Sequence, residues 1–466
     1  MLIAAIVLAA GKGTRMKGAL PKVLHSVLDR PMVSWVIDAV SAAGVGDIVV
    51  VIGHGKERVL AHLQSAHPTV RTVEQKEQKG TGHAVQVALP DVRADSVLVV
   101  CGDTPRLDAQ ALRALCAAQR DHKAPVAMWT TTLAVPFGYG RIVRDDDGAV
   151  TAIVEEKDAS PALRALTEVN PGVYCIDRAF LERALSSLRT DNAAGELYLT
   201  DVVAQAAAAS STSGGVVAVS VPAEMTLGVN DREHLADACA WARRARVRQL
   251  RLGGVSIPDD AGVAIGANVT VGEDTTIAAG VSITGKTTIG ARVIVGQGCV
   301  INACTIADDV VIHPYSVCDT AAVQQGAIIG PFARLRPEAN VGEGAHVGNF
   351  VELKKTNLGK GSKANHLAYL GDAVIGAGVN VGAGTITCNY DGHGKHKTTI
   401  EDSVFVGSNS TLVAPVVLGE GSYVAAGSVV TDDVSKDAVA FGRARQSEKA
   451  GHAKVVRERN KARAGK

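Results

Sequence analysis

The chain has 466 residues, of which 47% are hydrophobic and 20% are charged, and its formal net charge is +1. A single compact core does not extend over so many residues, so we expect at least two domains. The near-neutral charge gives no general case for nucleic-acid binding. The apolar start, Leu2 to Ala10, lacks basic residues and is too short to span a bilayer, which predicts a buried first strand and no membrane insertion.

The cysteines and the tail bear on the compartment and on possible partners. None of the eight cysteines forms a C-x-x-C pair, a usage typical of reduced thiols in a cytoplasmic protein. After Gly442, nine Lys or Arg residues face only Glu448 and Glu458. We interpret this segment as a solvated, disordered tail; a binding arm is the alternative.

Up to about residue 228, apolar runs alternate with helical patterns. The predicted strands are 3–8, 48–52, 97–100 and 126–129, and the predicted helices between them are 33–43, 56–64, 84–89 and 109–119. This alternation predicts a mostly parallel, doubly wound, Rossmann-like α/β sheet. In such sheets ligands bind at the carboxyl ends of the strands.

The second half of the chain has a six-residue hydrophobic period. It runs from Ile265 to Ile301, again from Ile329 to Leu353, and again from Ile400 to Val430. A period of six fits neither an α-helix nor one flat strand, but it fits a parallel β-helix built from three short strands per coil. Residues 231–252 contain no Gly or Pro and predict a connecting helix. The predicted domains are therefore 1–229, a linker helix 230–252, a β-helix 253–442 and a basic tail 443–466.

The period fails at two places, after Leu353 and at 388–397. We expect exposed loops there, and loops on a rigid scaffold often carry catalytic residues. Two apparent metal motifs are set aside. The run Asp145–Asp147 before Gly148 lies between two strand-like segments and predicts a hairpin turn. Cys388, His393 and His396 supply at most three zinc ligands, so we do not expect zinc.

A glycine-containing segment follows the first predicted strand. It reads Leu-Ala-Ala-Gly-Lys-Gly-Thr-Arg-Met from Leu8 to Met16, and Pro21-Lys22 comes soon after. Small residues let the backbone approach a phosphate, and Lys12, Arg15 and Lys22 can neutralise its charge. The whole string resembles the sugar-phosphate nucleotidyltransferases.

That resemblance implies roles for residues along the first domain. It implies that nucleotide and sugar nucleotide contact Leu8, Ala9, Ala10, Gly11, Lys22, Gln75, Gly80, Thr81, Gly140, Glu155, Asn170 and Asn230. Among these, Gln75, Gly80 and Thr81 would recognise the base, and Gly140, Glu155 and Asn170 would hold the acceptor, N-acetylglucosamine phosphate. It implies that Asp103 and Asn230 hold a divalent ion, and oxygen ligands with phosphates suit Mg²⁺. Arg15 and Lys22 would stabilise the charge of the transferring phosphates. Cys101 and Arg106 depart from the family's pattern around Asp103.

The chain from Leu2 to about Arg445 is similar to the bacterial bifunctional N-acetylglucosamine-1-phosphate uridylyltransferase and glucosamine-1-phosphate acetyltransferase family. The resemblance implies a left-handed β-helix on which His366 is the general base and Asn389 polarises the thioester. Glucosamine 1-phosphate would contact Arg336, Lys354, Tyr369, Asn380 and Lys395. Acetyl-CoA would contact Ala383, Asn389, Tyr390, Ser408, Ala426 and Arg443. Asn365 and Ala368 depart from the family's pattern around His366.

The resemblance further implies synthesis of UDP-N-acetylglucosamine, a cell-wall and envelope precursor, from acetyl-CoA, UTP and sugar phosphates. We expect a cytoplasmic homotrimer in which Lys395 reaches into the neighbouring subunit. Two alternatives are a nucleotidyltransferase whose β-helix only oligomerises, and a non-catalytic scaffold like the exchange-factor subunits that share this architecture. The acetyl-site residues argue against the first alternative. Intact Arg15, Lys22, Asp103 and Asn230 argue against the second.

Overall fold

The computed structural model describes residues 2–209 and 215–465. The chain divides into two compact units, one up to Ala245 and one from Arg246 onward. The division falls inside the long helix Arg232–Leu252, which corresponds to the predicted linker helix 230–252.

The first unit contains one large mixed sheet, a small hairpin and surrounding helices. Its strands are β1 Ile3–Ala9, β2 Ser26–Val27, β3 Arg30–Pro31, β4 Asp47–Ile52, β5 Arg71–Glu74, β6 Ser96–Cys101, β7 Val126–Thr132, β8 Gly140–Arg144, β9 Val150–Val154, β10 Glu168–Asn170, β11 Tyr174–Asp177 and β12 Val216–Ser220. Its helices are α1 Met32–Ala42, α2 Lys56–Ala66, α3 Thr81–Ala88, α4 Ala109–Asp121, α5 Pro161–Arg164, α6 Arg178–Ser186, α7 Asp201–Ala209 and the start of α8 Arg232–Leu252. Each predicted strand and helix of this unit has its counterpart here, with ends that differ by a few residues.

The large sheet is less parallel than the sequence pattern predicts. Its order is β5-β4-β1-β6-β11-β7-β10-β8-β9, with β12 beside β7. The β5-β4-β1-β6 half is parallel, as predicted. From β11 onward the pairs are antiparallel, except that β12 runs parallel to β7. Strand β11 lies between β6 and β7, antiparallel to both, and it is not among the predicted strands.

The two faces of the large sheet are covered by different helices. Along β1, Ala4 and Ile6 pack into a cluster with residues of α3, α6 and α7, while Ala5 and Val7 pack into a cluster with residues of α1, α2 and α4. Alternate residues of a strand point to opposite faces, so both faces of a central strand are apolar when helices cover both. The carboxyl ends of β1 and β6 are left open for a ligand.

The predicted Asp-Gly hairpin is confirmed. Strands β8 and β9 pair antiparallel around it. Asp145 accepts hydrogen bonds at Oδ1 from the backbone N–H groups of Asp147 and Ala149, at 3.1 and 2.8 Å. The Asp145 carboxylate therefore closes the turn.

The second unit is a parallel β-helix with three flat faces. Face A consists of Ala264–Ile265, Ser282–Thr284, Val300–Asn302, Val317–Asp319, Arg334–Leu335, Glu352–Lys354, Tyr369–Gly371, Ile386–Cys388, Thr411–Val413 and Val429–Val430. Face B consists of Thr270–Val271, Thr288–Ile289, Thr305–Ile306, Ala322–Val323, Asn340–Val341, Asn357–Leu358, Ala373–Ile375, Thr398–Ile400 and Val416–Leu418. Face C consists of Thr276–Ile277, Ile294–Val295, Val311–Ile312, Ile328–Ile329, His346–Asn349, Lys363–His366, Asn380–Val381, Phe405–Val406, Tyr423–Val424 and Val439–Ala440.

The six-residue period corresponds to one strand per face, so residues 18 apart stack. Ile265 pairs with Ile283, and Ile283 with Ile301. Between the periodic segments the coils continue, but some are one residue shorter. Ile301 stacks on Ile283, which lies 18 residues earlier, whereas Ile306 stacks on Ile289, which lies 17 residues earlier. These aliphatic residues form one buried core along the whole prism.

Only one of the two predicted loops is an external loop. The segment after Leu353 stays within the coils, since Leu353 pairs with Leu370 and Leu358 with Ile375. The prediction of an exposed loop there was wrong, because a five-residue step breaks the period without expelling the chain. The loop predicted at 388–397 does leave the prism, between the face A strand Ile386–Cys388 and the face B strand Thr398–Ile400.

The basic tail is helical in its last part, which corrects the prediction of a disordered tail. Helix α9 spans His452–Ala464, and none of its residues is buried. Helix-forming residues account for the conformation, and the lack of an apolar stripe accounts for its exposure. No described helix of the chain is long and apolar enough to cross a membrane.

Candidate active sites

The first unit holds a cavity of about 540 Å³ at the carboxyl ends of β1 and β6. Its lining includes most residues that the sequence assigns to the nucleotide and the metal: Leu8, Ala9, Ala10, Gly11, Arg15, Lys22, Gln75, Gly80, Thr81, Asp103 and Asn230. These residues come from segments more than 200 positions apart. The sheet topology brings them together, as expected for strand ends at one edge of a parallel sheet.

The glycines of the first loop have distinct steric roles. Gly13 has a φ of 58°, and a Cβ added there would lie 2.6 Å from Cβ of Lys22. A Cβ added to Gly11 would meet nothing within 4 Å. Gly13 therefore shapes the loop against Lys22, whereas Gly11 leaves its backbone open to the cavity.

One cation bridges the two predicted metal ligands. The Lys22 ammonium pairs with the Asp103 carboxylate and donates a hydrogen bond of 2.9 Å to Oδ1 of Asn230. Arg15 donates to the same amide oxygen at 3.0 Å. The backbone N–H of Val229 donates to the Asp103 carbonyl at 2.9 Å and holds the two segments side by side. A carboxylate and an amide oxygen that converge on one cation are a donor set that fits Mg²⁺.

The predicted base-recognition segment is rigidly held. Gln75 is buried, and its side-chain nitrogen lies 3.1 Å from the Gly80 carbonyl oxygen and 3.0 Å from Nδ1 of His83. Gly80 has a φ of 104°, and an added Cβ would come within 2.5 Å of the Leu197 carbonyl oxygen. The amide of Gln75 is thus oriented before any ligand binds.

A second cavity of about 190 Å³ adjoins the first. Its lining contains the predicted acceptor residues Gly140, Glu155 and Asn170, and it shares Leu8, Thr81 and Cys101 with the first cavity. Those shared residues form the boundary at which two bound substrates would meet.

Hydrogen bonds hold the polar groups of the second cavity in place. Burial raises the pKa of Glu155, which accepts a hydrogen bond of 3.2 Å from Thr200. Asn170 donates to the Tyr174 hydroxyl at 2.7 Å, and burial raises the pKa of that phenol. These fixed groups suit the hydroxyl and amide groups of a sugar.

Sequence reasoning missed several lining residues of the two cavities. Glu196 and Gln78 line the first, and Leu199, Thr200 and Tyr174 line the second. Glu196, Leu199 and Thr200 lie in an irregular segment with no recognisable motif. The antiparallel strand β11, had it been identified, would have indicated Tyr174.

On the β-helix, four predicted acceptor residues cluster on and beside face A. Arg336 donates to Oε1 of Glu352 at 2.9 Å, and Lys354 donates to Oδ2 of Asp372 at 3.4 Å. Tyr369 pairs in register with Glu352. Neither acidic partner was predicted. The carboxylates of Glu352 and Asp372 neutralise the charges of Arg336 and Lys354. A phosphate that binds these two cations would have to replace the carboxylates as the counter-ion.

Lys395 belongs to this cluster within its own chain. The contact with the Lys354 ammonium lowers the pKa of Lys395, because two adjacent cations repel each other. We predicted that Lys395 reaches into a neighbouring subunit. Within its own chain the structure places it beside Lys354, and its reach into a neighbouring subunit stays a prediction.

The loop that carries Lys395 is internally hydrogen-bonded. The Asn389 side chain is buried and donates to Oδ2 of Asp372, and the Tyr390 hydroxyl donates to the Gly392 carbonyl at 2.7 Å. Asp391 accepts from two backbone N–H groups of the loop and lies 2.6 Å from the His396 ring. The described residues hold no group of three or more His, Cys, Asp or Glu that could bind a metal.

His366 is exposed at the last position of its face C strand. Its Nδ1 lies 3.0 Å from Oδ1 of Asn349, its register partner on the preceding coil. An amide oxygen only accepts hydrogen bonds, so in the neutral ring this contact favours the tautomer with the proton on Nδ1 and the lone pair on Nε2. Asn349 was not predicted, and no motif in the sequence indicates it.

Several predicted acetyl-CoA residues lie in line with His366 along the prism. Register pairing places Ala383, Ser408 and Ala426 on successive coils at the same edge of face C, with Arg443 after the last strand. Asn380, predicted to bind the acceptor sugar, lies on face C, whereas Tyr369 lies on face A. The single chain therefore distributes the predicted acetyl-site residues over two faces.

The four departures from the family's pattern have identifiable surroundings. Burial raises the pKa of the Cys101 thiol to about 12, so it stays neutral between the two cavities. The Arg106 guanidinium lies over the Trp241 ring of α8, 5.4 Å from its centroid. Ala368 is buried in the prism, and Oδ1 of Asn365 is buried without a hydrogen-bond partner among the described residues.

Comparison with known proteins supports both halves of the chain. Residues 5–194 match the MobA-like NTP transferase domain, and residues 397–432 match the bacterial transferase hexapeptide (six repeats). The chain is 48% identical over 466 residues to the Bifunctional protein GlmU of Sorangium cellulosum, covering 98% of each chain.

Two further relatives bear the same name. The Bifunctional protein GlmU of Anaeromyxobacter sp. strain Fw109-5 is 51% identical, over 96% of this chain and 92% of the relative. That of Acinetobacter baumannii strain AYE is 45% identical, over 96% of this chain and 97% of the relative. With these similarities over nearly its whole length, the chain belongs to the GlmU family of bifunctional proteins.

Proposed function

We propose that the chain catalyses both the acetylation of glucosamine 1-phosphate by acetyl-CoA and the transfer of UMP from UTP to N-acetylglucosamine 1-phosphate. The observation that carries the second activity is the pair of adjoining cavities, which meet at Leu8, Thr81 and Cys101. One has the cationic, glycine-lined wall that a triphosphate needs, and the other has the fixed polar groups that a sugar needs.

The uridylyl transfer would be an in-line displacement. A phosphate oxygen of the sugar phosphate attacks the α-phosphorus of UTP, and pyrophosphate leaves. The nucleophile is already an anion, so no general base is required. Arg15 and Lys22, which already lie together at the cavity wall, would neutralise the charge that spreads over the phosphate oxygens.

We propose Mg²⁺ as the metal of this site, held by Asp103 and Asn230. Both side chains offer oxygen atoms to a single cation in the structure, which supports the assignment. When bound with the triphosphate, the ion would supply charge neutralisation at the reacting phosphates. The residues of the chain then orient the two substrates at the boundary of the cavities.

The acetyl transfer would use His366 as general base. The C2 amine of the sugar attacks the thioester carbonyl, and its proton passes to Nε2 of His366 as coenzyme A leaves. Asn349 holds Nδ1 and thereby leaves Nε2 as the acceptor. Arg336, Lys354 and Lys395 would bind the phosphate, and Asn389 would polarise the thioester. Ala383, Tyr390, Ser408, Ala426 and Arg443 would contact the coenzyme.

We propose that the protein assembles as a homotrimer through the β-helix. Two features support this. The predicted acetyl-site residues lie on faces A and C, which would form one site if face A of one copy lay near face C of another. At the corner between these faces, Tyr315, Phe332 and Phe350 stack 5.4 Å apart, each about half exposed. Exposed apolar ridges of this kind mark interaction surfaces.

The proposed substrates also suggest where the protein acts. UTP and acetyl-CoA are cytoplasmic metabolites, and the eight cysteines are free thiols, as expected in a reducing compartment. We therefore propose a cytoplasmic enzyme that supplies UDP-N-acetylglucosamine for the cell wall and envelope.

Two assays test the two activities separately. Incubation with acetyl-CoA and glucosamine 1-phosphate is expected to release coenzyme A, detected as free thiol. Incubation with UTP, N-acetylglucosamine 1-phosphate and Mg²⁺ is expected to release pyrophosphate. Absence of thiol release would leave the β-helix as an oligomerisation element only, and absence of both products would favour a non-catalytic scaffold.

A further inference from the structure

The cation that bridges Asp103 and Asn230 in the structure is a side chain of the protein itself. The Lys22 ammonium contacts the Asp103 carboxylate and lies 2.9 Å from Oδ1 of Asn230. Its side chain is only 14% exposed, and that of Asp103 is 22% exposed. These are the two side-chain oxygens that the proposed function assigns to Mg²⁺. Lys22 thus stands where the divalent ion would have to bind.

We infer that Lys22 and the divalent cation occupy this position alternately, so that Lys22 suppresses metal binding until a nucleotide arrives. The inference rests on the proposed function. An ammonium and a divalent ion at the same two oxygens repel each other, so occupation of the position by one disfavours the other. A triphosphate would offer Lys22 a new anionic partner and would thereby free Asp103 and Asn230 to hold the metal.

The geometry of Lys22 suits such an exchange. The residue begins the short 3-10 turn Lys22–Leu24, and its Cβ packs against the Gly13 backbone, where no added Cβ would fit. The base of the side chain is therefore anchored, while its ammonium end faces the cavity. Rotation about the terminal side-chain bonds would move the ammonium away from Asp103 while the base of the side chain stays in place.

Arg15 does not serve the same purpose. It donates to Oδ1 of Asn230 at 3.0 Å, and the described structure records no ion pair between it and Asp103. Arg15 therefore contacts only the amide oxygen, whereas Lys22 contacts both the amide oxygen and the carboxylate. Lys12 provides a matched control, because it lines the same cavity and forms no hydrogen bond or ion pair with Asp103 or Asn230 among the described residues.

The test is a nucleotide-free titration of the full-length protein with Mn²⁺, followed by electron paramagnetic resonance of the free ion. Lys22→Met is expected to tighten Mn²⁺ binding about tenfold, because removing a competing state raises the competent fraction. Lys12→Met is expected to change the affinity by less than about twofold, since it only alters the screened field of the cavity. A thermal melt checks that each variant is folded, and Lys22→Gln replaces the methionine variant if that one is not.

A double-mutant cycle with Asp103→Asn establishes that the gain arises at this site. The single Asp103→Asn variant is expected to bind Mn²⁺ weakly, and Lys22→Met is expected to add nothing in that background. Equal effects of Lys22→Met and Lys12→Met, or a gain that persists without the Asp103 charge, would overturn the inference. If the wild-type chain forms UDP-N-acetylglucosamine while Lys22→Met leaves metal affinity unchanged, the proposed function stands and this inference fails. If the wild-type chain forms none, the proposed function itself fails.

Discussion

Asn349 and His366 form a hydrogen-bonded pair on successive coils of the β-helix, with 3.0 Å between Oδ1 of the amide and Nδ1 of the ring. Their strands pair in register, so the β-helix itself aligns the two side chains. Replacing Asn349 by Leu removes the acceptor and frees the ring to adopt the other tautomer. We predict that acetyl transfer falls by about tenfold or more, because the general base then presents a protonated nitrogen.

The control for that prediction is Asn357→Leu. Asn357 also accepts a hydrogen bond from the preceding coil, at 2.7 Å from Asn340, but it lies on face B. Its loss is expected to leave acetyl transfer unchanged. Uridylyl transfer should be unaffected in both variants, and a parallel loss of it would indicate general misfolding.

The two glycines of the nucleotide loop should respond differently to alanine. At Gly13 the positive φ and the contact with Lys22 strain any Cβ, so Gly13→Ala should lower the free energy of unfolding of the first unit by about 1–2 kcal/mol. Gly11→Ala should leave that free energy unchanged and raise KM for UTP, because its methyl group would point into open cavity. Denaturant unfolding and steady-state kinetics separate the two effects. Similar unfolding curves for both variants would contradict the assignment.

A half-buried histidine pair predicts acid sensitivity of the first unit. Ser34 lies 2.8 Å from Nε2 of His62 and 3.0 Å from Nε2 of His67. Burial lowers the pKa of both rings from their ordinary value of 6.5. Between that value and the lowered one, the unfolded chain binds more protons than the folded chain. The contribution of these two rings to the free energy of unfolding is therefore constant above about pH 6.5 and becomes unfavourable as the pH decreases below it.

Thermal melts of the full chain between pH 7.5 and 5 measure this effect. His62→Gln should flatten the acid-side decrease in the melting temperature of the first unit, whereas Gln in place of the exposed His122 should not. Identical pH profiles for wild type and His62→Gln would show that the pair does not contribute.

The aromatic ridge predicts a link between assembly and acetyl transfer. Phe332→Asp places a charge between Tyr315 and Phe350 in the stack and should shift the mass in solution from trimer to monomer. Acetyl transfer should fall with it, while uridylyl transfer persists. Val417→Asp changes a comparably exposed apolar residue on face B and should leave the mass unchanged. A wild-type chain that is already a monomer would refute the assembly proposal.

The sequence predicted the prism well because a repeated stack has a strong signal. Ile265, Ile283 and Ile301 repeat one environment every 18 residues, so their side chains follow one rule. The shorter coils were not predicted, because the loss of one residue from a coil interrupts the six-residue period without interrupting the stack. The antiparallel β11 was missed for a different reason: a three- or four-residue strand carries too little pattern to distinguish from a loop.

The candidate sites were predictable only where a motif carried them. Asp103 and Asn230 were identified by resemblance, and the fold brings them to one cation. Asn349 and Asp372 were missed because each is a single polar residue whose role depends on a neighbouring coil. The contact of Lys395 with Lys354 of its own chain was not predicted, because a sequence gives the length of a loop but not the direction in which it folds.

Complementation between two inactive variants distinguishes two independent active sites in one chain from a single shared site. His366→Ala and Asp103→Ala are each supplied with glucosamine 1-phosphate, acetyl-CoA, UTP and Mg²⁺, first alone and then mixed. Each variant alone should form no UDP-N-acetylglucosamine, and the mixture should form it, because released N-acetylglucosamine 1-phosphate passes from one protein to the other. The two active sites would not be independent if the mixture stayed inactive although both variants are folded. The same would follow if either variant lost both activities.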